Sequence, residues 1–314
     1  MAEPTIQDIR DAAARIRPFI HRTPVLTCSA LDALAEAELF FKCENFQKVG
    51  AFKIRGATNA VFSLSDEEVA PGVATHSSGN HAQALALAAR QRGVPAYVVM
   101  PDNAPEVKRQ AVAGYGAKIF PCRPTPAARE AGLTRVIERT GAAFVHPYND
   151  YRVIAGQGTA ALELIEKVPE LDVVMTPVGG GGLLSGTALT VAAVAPHANI
   201  IAGEPANADD AYRSLQTGEI QPSVNPDTIA DGLLTSLGER TFPIIRRLVH
   251  DIVRVSEDEI IHAMRLVFER MKVVIEPSAA VPLAAVLAHR ESIPGRRIGI
   301  IFSGGNVDLA QLPW

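Results

Sequence analysis

Lys53 sits in Lys48-Val49-Gly50-Ala51-Phe52-Lys53-Ile54-Arg55-Gly56, a cationic, glycine-flanked stretch between an apolar strand-like run and a helix-like one. A lysine just after Phe52, at the mouth of a packed element, is readily desolvated. Desolvation lowers its pKa and frees the amine to attack a carbonyl. Taken by itself the residue reads equally as a helix-start lysine with its head in water. A second stretch changes the weight of the first. Gly179-Gly180-Gly181-Gly182 follows a run ending in Val178 and precedes an apolar helix. Four glycines in a row turn tightly and present several backbone N–H groups to one anion, which the helix dipole also favours. A merely flexible turn is the poorer reading, because ordering four glycines carries a large entropic cost.

An imine-forming lysine and a phosphate cup in one chain imply pyridoxal phosphate, whose aldehyde suits Lys53 and whose phosphate suits Gly179 to Gly182. The competing reading is a dinucleotide site: strand, glycines, helix, strand, then Glu204 about twenty residues on to hold a ribose hydroxyl. The G-x-G-x-x-G spacing is not met, since Ser185 stands where the third glycine would follow Gly180 and Gly182.

The elements that must carry these stretches alternate in type. Thr5 caps a helix over 6–16, and a buried strand over 38–44 precedes a helix over 53–63. Strands over 73–75, 96–100, 118–120 and 143–146 alternate with helices over 80–92, 106–113, 127–139 and 155–167. Strands over 172–178, 199–204 and 297–302 and helices over 183–194, 257–271 and 278–289 complete the pattern. Such alternation predicts an α/β protein with mostly parallel, open sheets flanked by helices. Chemistry in such sheets gathers where strand carboxyl ends meet helix N-termini. Three junctions stand out there: His76-Ser77-Ser78-Gly79-Asn80-His81, the glycine run, and Ser303-Gly304-Gly305-Asn306.

Composition bounds the rest. A chain of 314 residues, 47% hydrophobic and 20% charged, can bury a core large enough for two lobes. A net charge of −4 gives no electrostatic reason to expect nucleic acid. No segment approaches the roughly 18 uncharged apolar residues that cross a bilayer. Residues 1–5 carry no basic-then-apolar secretory pattern, and Cys28, Cys43 and Cys122 lie far apart, as reduced thiols in a cytosolic protein do.

Phe52-Lys53, Ser77-Ser78-Gly79-Asn80-His81, Gly179 to Gly182 and Ser303-Gly304-Gly305-Asn306 together resemble the serine/threonine dehydratase and serine racemase branch of the fold-type II pyridoxal-phosphate enzymes. The resemblance covers nearly the whole chain in the family's order. It implies that Lys53 holds the cofactor and then moves the Cα proton on one face. Asn80 would hydrogen-bond the ring hydroxyl, Ser303 would face the pyridine nitrogen, and Glu276 would lie near the ring, although an acidic residue opening the following helix is the plain alternative. Ser77, with the N–H groups of Asn80 and His81 at the helix start, would bind the substrate carboxylate. His76 and His81 otherwise shape the loop. Ser78 matches the racemases' proton donor on the face opposite Lys53, where many threonine dehydratases have alanine; racemisation needs one group per face.

The resemblance also marks Glu204, the Ala208 carbonyl and Asp210 as ligands of a divalent cation, where all-oxygen ligation suits Mg²⁺, Mn²⁺ or Ca²⁺. Arg129 matches a racemase-branch position able to turn toward a second substrate carboxylate, which adds 3-hydroxyaspartate to serine and threonine as candidate substrates. Thr235 falls at a substrate-side hydroxyl position. The expected organisation is a large cofactor-binding domain of residues 1–68 and 150–314, with a small mobile domain, 69–149, inserted between them. The family suggests a homodimer. The chain ends soon after Asn306, so the amino-acid-sensing domain of biosynthetic threonine dehydratases is not expected. The activity implied is β-elimination of water from a β-hydroxy-α-amino acid, with serine racemisation as the alternative and a dinucleotide-dependent oxidoreductase as the remote one.

Overall fold

A computed structural model describes residues 2–77, 79–104 and 106–314. Two open sheets form among them. The strands are β1 (Val25–Leu26), β2 (Glu38–Cys43), β3 (Val73–His76), β4 (Ala96–Pro101), β5 (Lys118–Cys122), β6 (Ala143–Phe144), β7 (Val173–Pro177), β8 (Asn199–Pro205), β9 (Asp251–Val255) and β10 (Arg297–Phe302). Six run in the order β1-β2-β10-β7-β8-β9, parallel except for the β1–β2 pair, and four form an all-parallel sheet β5-β4-β3-β6. The α/β class expected from the alternation is what the chain adopts.

The larger sheet is buried on both faces, and the period of two along each strand sorts its side chains. Ile298, Ile300 and Phe302 join one core cluster with Val173, Met175 and Phe41, while Ile301 points to the other with Val174, Ile200 and Ala202. The Phe41 and Phe302 rings stack at 4.6 Å between centroids. Local signals set the helix ends. Thr5 Oγ1 accepts from Asp8 N at 3.3 Å and Asp8 accepts from Thr5 N at 2.7 Å, a capping box that opens Ile6–Ile16. The helix Asn80–Arg92 stops at Gly93, whose φ is +75°.

One topological fact positions the chemistry. β10, last in sequence, lies between β2 and β7, in register Phe302 to Cys43 on one side and Ile300 to Met175 on the other. The loop after β10 is thereby set between the Lys53 loop after β2 and the glycine loop after β7.

Some boundaries differ from the sequence expectation. The helix expected from residue 155 starts at Tyr151, because Asp150 Oδ1 accepts from Arg152 N at 2.8 Å and caps it. The last strand of the smaller sheet covers only Ala143–Phe144, not 143–146, since Tyr148 N and Asn149 N turn back to His146 Nδ1 at 3.3 and 2.9 Å.

Candidate active site

Lys53 opens the helix Lys53–Phe62, and the backbone just before it is tied to the loop after β10. Phe52 N donates to Ser303 O and Gly305 N to Gly50 O, each at 2.9 Å. Two residues on, the buried Arg55 donates to both Glu44 oxygens at 2.7 and 2.8 Å and to both Glu163 oxygens at 2.9 Å, while Lys42 donates to Glu163 at 2.6 Å. Two cations and two carboxylates balance, so the helix start is held by a buried network in which the charges are paired.

Lys53 Nζ donates to Pro147 O at 3.0 Å and lies 5.0 Å from the Phe52 ring centroid. Burial pulls its pKa down to about 8, against the opposing pull of Glu276. The amine faces a cavity of about 270 Å³. Gly179 to Gly182 form part of its wall, as do Ser77, Asn80 and His81 from the loop after β3. Arg129, Thr235, Glu276 and Ser303 also line it. Ser78 lies outside the described residues.

The glycine run is a steric requirement. A Cβ on Gly180 would stand 2.4 Å from the Tyr148 ring, and Gly181 has φ +86° with Ile245, Leu237 and Thr241 within 2.9 Å of a Cβ. Gly181 is also the N-cap of the helix Gly182–Val194, whose free N–H groups face the cavity end. Thr241 Oγ1 donates to Gly180 O at 2.9 Å and fixes the peptide from outside.

At another part of the wall, Glu276 is 4% exposed and accepts from Asn80 Nδ2 at 3.0 Å on each oxygen and from Asn306 N at 3.2 Å. Burial pushes its carboxyl up to about 7, with the Asn80 bond working the other way. The neighbouring histidines are held neutral. His81 is buried, its Nε2 is 3.3 Å from Val145 O, and desolvation followed by the nearby Lys53 drives its pKa well below the ordinary value. His146 falls to about 4 from burial and then from His76 and Lys53.

The acidic loop lies apart from the cavity. Glu204 is 1% exposed and accepts from Ala211 N and Tyr212 N at 2.8 Å each. Burial raises its pKa to about 8 and that of Asp210 to about 6. Both Asp210 carboxylate oxygens are buried without a hydrogen-bond partner among the described residues. Ala208 is buried in the turn Ala206–Ala208 between them. Unpartnered buried carboxylate oxygens beside a second buried carboxyl suit a hard cation. No group of three or more His, Cys, Asp or Glu side chains able to hold a metal occurs among the described residues, so any ion here would need backbone and water oxygens as well. Glu204 is not among the residues that line the cavity, which counts against a ribose contact from it.

Three cavity residues escape a reading of the sequence. Tyr148 sets its ring against Gly180 and its Cβ and backbone against Gly182, and Lys108 pairs with Asp231 at the cavity wall. Tyr148 is accessible in principle, because it follows a strand's carboxyl end as the other site loops do. Lys108 and Asp231 lie 123 residues apart and carry no local signal.

Residues 16–304 match the profile of the family described as "Pyridoxal-phosphate dependent enzyme". The chain belongs to that family. Its relatives include a serine racemase of Dictyostelium discoideum, 53% identical over 99% of this chain and 98% of the relative. A beta-hydroxyaspartate dehydratase of Paracoccus denitrificans is 52% identical over 99% of both chains. Among solved structures, a maize serine racemase superposes with a TM-score of 0.97 at 48% identity, covering 98% of this chain and 95% of the other. A threonine deaminase crystal structure superposes with a TM-score of 0.94 at 45% identity, covering 98% of this chain and 100% of the other. The two-lobed pyridoxal-phosphate fold and cofactor expected from the sequence are thus those of the family, and an oxidoreductase built on a dinucleotide is set aside.

Proposed function

We propose that this pyridoxal-phosphate enzyme is a dehydratase of β-hydroxy-α-amino acids. The observation that carries the reading is the Lys53 amine, lowered to a pKa of about 8, in one cavity with a four-glycine helix start and the Asn80 and Ser303 loops. When bound, pyridoxal phosphate supplies an aldehyde carbon for the amine and a ring that draws electrons from the substrate Cα. The N–H groups of Gly179 to Gly182 would hold its phosphate, Asn80 its ring hydroxyl, Ser303 its pyridine nitrogen, and Phe52 and Glu276 would flank it.

Lys53 would take the Cα proton and return it to the departing β-hydroxyl, which leaves as water. The resulting enamine takes up water and gives a 2-oxo acid and ammonia, so one water is lost and one consumed. Ser77 and the N–H groups of Asn80 and His81 hold the α-carboxylate, and Thr235 approaches from the substrate side. The Ser303 hydroxyl carries no charge, so it does not hold the ring nitrogen protonated and favours loss of the β-substituent over transamination. Assaying ammonia and 2-oxo acid from serine, threonine and both 3-hydroxyaspartate diastereomers tests the assignment. Absence of product from all of them in the cofactor-loaded protein would sink it.

The racemase relatives favour serine racemisation as a second activity, for which the resemblance implies Ser78 as the second proton-transfer group. It is separable by assaying D-serine against pyruvate in Ser78→Ala. Arg129 bears on substrate charge: it lines the cavity, and its Nε is buried with no partner among the described residues. A free guanidinium edge suits a second carboxylate. Arg129→Ala is therefore expected to raise KM for 3-hydroxyaspartate by about 10- to 100-fold, the size of one charge-assisted hydrogen bond, with serine little affected. Equal losses on both substrates would reject that role.

Glu204, the Ala208 carbonyl and Asp210 are proposed to hold Mg²⁺, or Mn²⁺ or Ca²⁺, as a structural ion. Millimolar Mg²⁺ should raise Tm by several degrees, in line with about 2–3 kcal/mol from a ligand present well above its Kd. Asp210→Asn should remove that gain, and a Tm unmoved by any of the three ions would count against the site. We further propose that residues 69–149 close on the substrate, with Lys108 and Asp231 meeting at the mouth, and that the enzyme is a cytosolic homodimer. Its three free cysteines support a reducing compartment.

A further inference from the structure

The orientation of the Asn80 amide is dictated from outside the residue, and the chain of reasoning begins at a backbone carbonyl. Val49 O can only accept, and Asn306 Nδ2 donates to it at 2.7 Å. That contact decides which way round the Asn306 amide lies. The same Nδ2 donates to Asn80 Oδ1 at 2.9 Å, which turns Asn80 Nδ2 toward Glu276. There it donates to Oε1 and Oε2 at 3.0 Å each, and the Asn306 N–H donates to Oε2 at 3.2 Å. Rotating the Asn80 amide by half a turn would set its oxygen against two carboxylate oxygens and its nitrogen against the Asn306 nitrogen. With Glu276 ionised every one of its bonds would be lost, and with Glu276 protonated the bond from Asn306, itself fixed by Val49 O, still would be.

The frame around this network is tight. Glu276 N donates to Gly304 O at 3.0 Å, and a Cβ on Gly304 would stand 2.7 Å from Glu276 Oε1. A Cβ on Gly50 would stand 2.5 Å from Asn306 Oδ1. On the side of these two glycines neither partner of Asn80 can move away.

We propose that Asn306 and Glu276 are positioning residues that make Asn80 an obligate hydrogen donor, never an acceptor, toward the ring oxygen of the bound cofactor. This rests on the proposed assignment of Asn80 to the ring hydroxyl. The two Glu276 oxygens belong to one carboxylate and both lie 3.0 Å from Nδ2, too narrow an angle for each to take its own hydrogen in line, which leaves one Nδ2 hydrogen for a ligand. A donor at that point favours the ionised ring oxygen. The orientation is set by Val49, four residues before Lys53, and by the loop after β10. Asn80 is therefore correctly turned only when both loops are in place.

The test uses cofactor-loaded, substrate-free enzyme and reads its absorption spectrum alongside steady-state kinetics. Asn306→Ala should shift the ratio of ionised to protonated ring hydroxyl by about tenfold, seen as loss of the visible band to the near ultraviolet. It should lower kcat by a similar factor with cofactor content unchanged. In an Asn80→Ala background the same substitution should add no spectral change, because the effect runs through Asn80. Asn306→Asp, which keeps the volume but cannot donate to Val49 O or Asn80 Oδ1, carries the same expectation if the alanine variant does not fold. A wild-type spectrum in Asn306→Asp, or an equal shift with and without Asn80, overturns the inference alone. Failure of the wild-type protein to capture pyridoxal phosphate at all overturns both the inference and the functional reading beneath it.

Discussion

Lys53→Ala is expected to abolish turnover, with a fall of about 10⁴-fold in kcat, the upper end of what one positioned proton-transfer group contributes. The loss should reach that end because the same amine is asked to do two tasks, anchoring the cofactor and moving the Cα proton. Borohydride reduction should fix the cofactor's mass onto the peptide containing residue 53 in the wild type and onto no peptide in the variant. The lowered pKa gives the prediction a second face. At pH 7 a group titrating at about 8 is about one-tenth free amine, whereas one at 10.5 is about one part in three thousand. Capture of pyridoxal phosphate by apoenzyme should therefore rise with pH and level off above about 8, since the neutral amine is the nucleophile and burial disfavours its protonated form. Capture that keeps climbing to pH 10, or substantial activity in Lys53→Ala, rejects the assignment.

Gly180→Ala should be nearly as damaging for a different reason. The added methyl would lie 2.4 Å from the Tyr148 ring, a distance real contacts do not reach, so the glycine loop or the Pro147-Tyr148 turn must move. Either movement reaches the site: one displaces N–H groups proposed to grip phosphate, the other displaces the carbonyl that accepts from Lys53. Losing one or two bonds to a charged group implies a weakening of cofactor affinity by about 10- to 10³-fold. A folding cost of about 1–3 kcal/mol from overpacking should accompany it. Equilibrium dialysis against pyridoxal phosphate measures the first and thermal unfolding of apoenzyme the second. A variant that binds the cofactor as tightly as wild type would show that Gly180 is not needed for its steric openness.

Much of this is written locally in the chain. The strand Arg297–Phe302 and the helices Ile6–Ile16 and Asn80–Arg92 occur at the residues where they are expected, because apolar periodicity and terminal signals agree at each. Lys53 and Gly179 to Gly182 are legible because their residue types are costly unless used. What escapes is short or nonlocal. The helix Ser29–Ala35 has no side-chain cap at Cys28, and β9 reads poorly because it is an edge strand with Arg254 turned to solvent. The helices Asp210–Thr217 and Thr241–Leu248 span about two turns each, too few for a period to declare itself. Lys108 and Asp231 acquire meaning only from each other, far off in sequence. The turn-rich Pro147-Tyr148-Asn149-Asp150 reads as a connector, although its Asp150 is a helix cap and its Pro147 carbonyl holds the lysine.

The seat of β10 between β2 and β7 also has a consequence for how the molecule comes into being. While the chain is emerging from a ribosome, the lysine and glycine loops are both synthesised long before the strand that separates them. Until residues 297–306 leave the exit tunnel, β2 and β7 each present an open edge where that partner belongs. Vitamin capture must therefore be a late event in the life of the nascent polypeptide, and a chain released before β10 has been made would leave a product unable to colour.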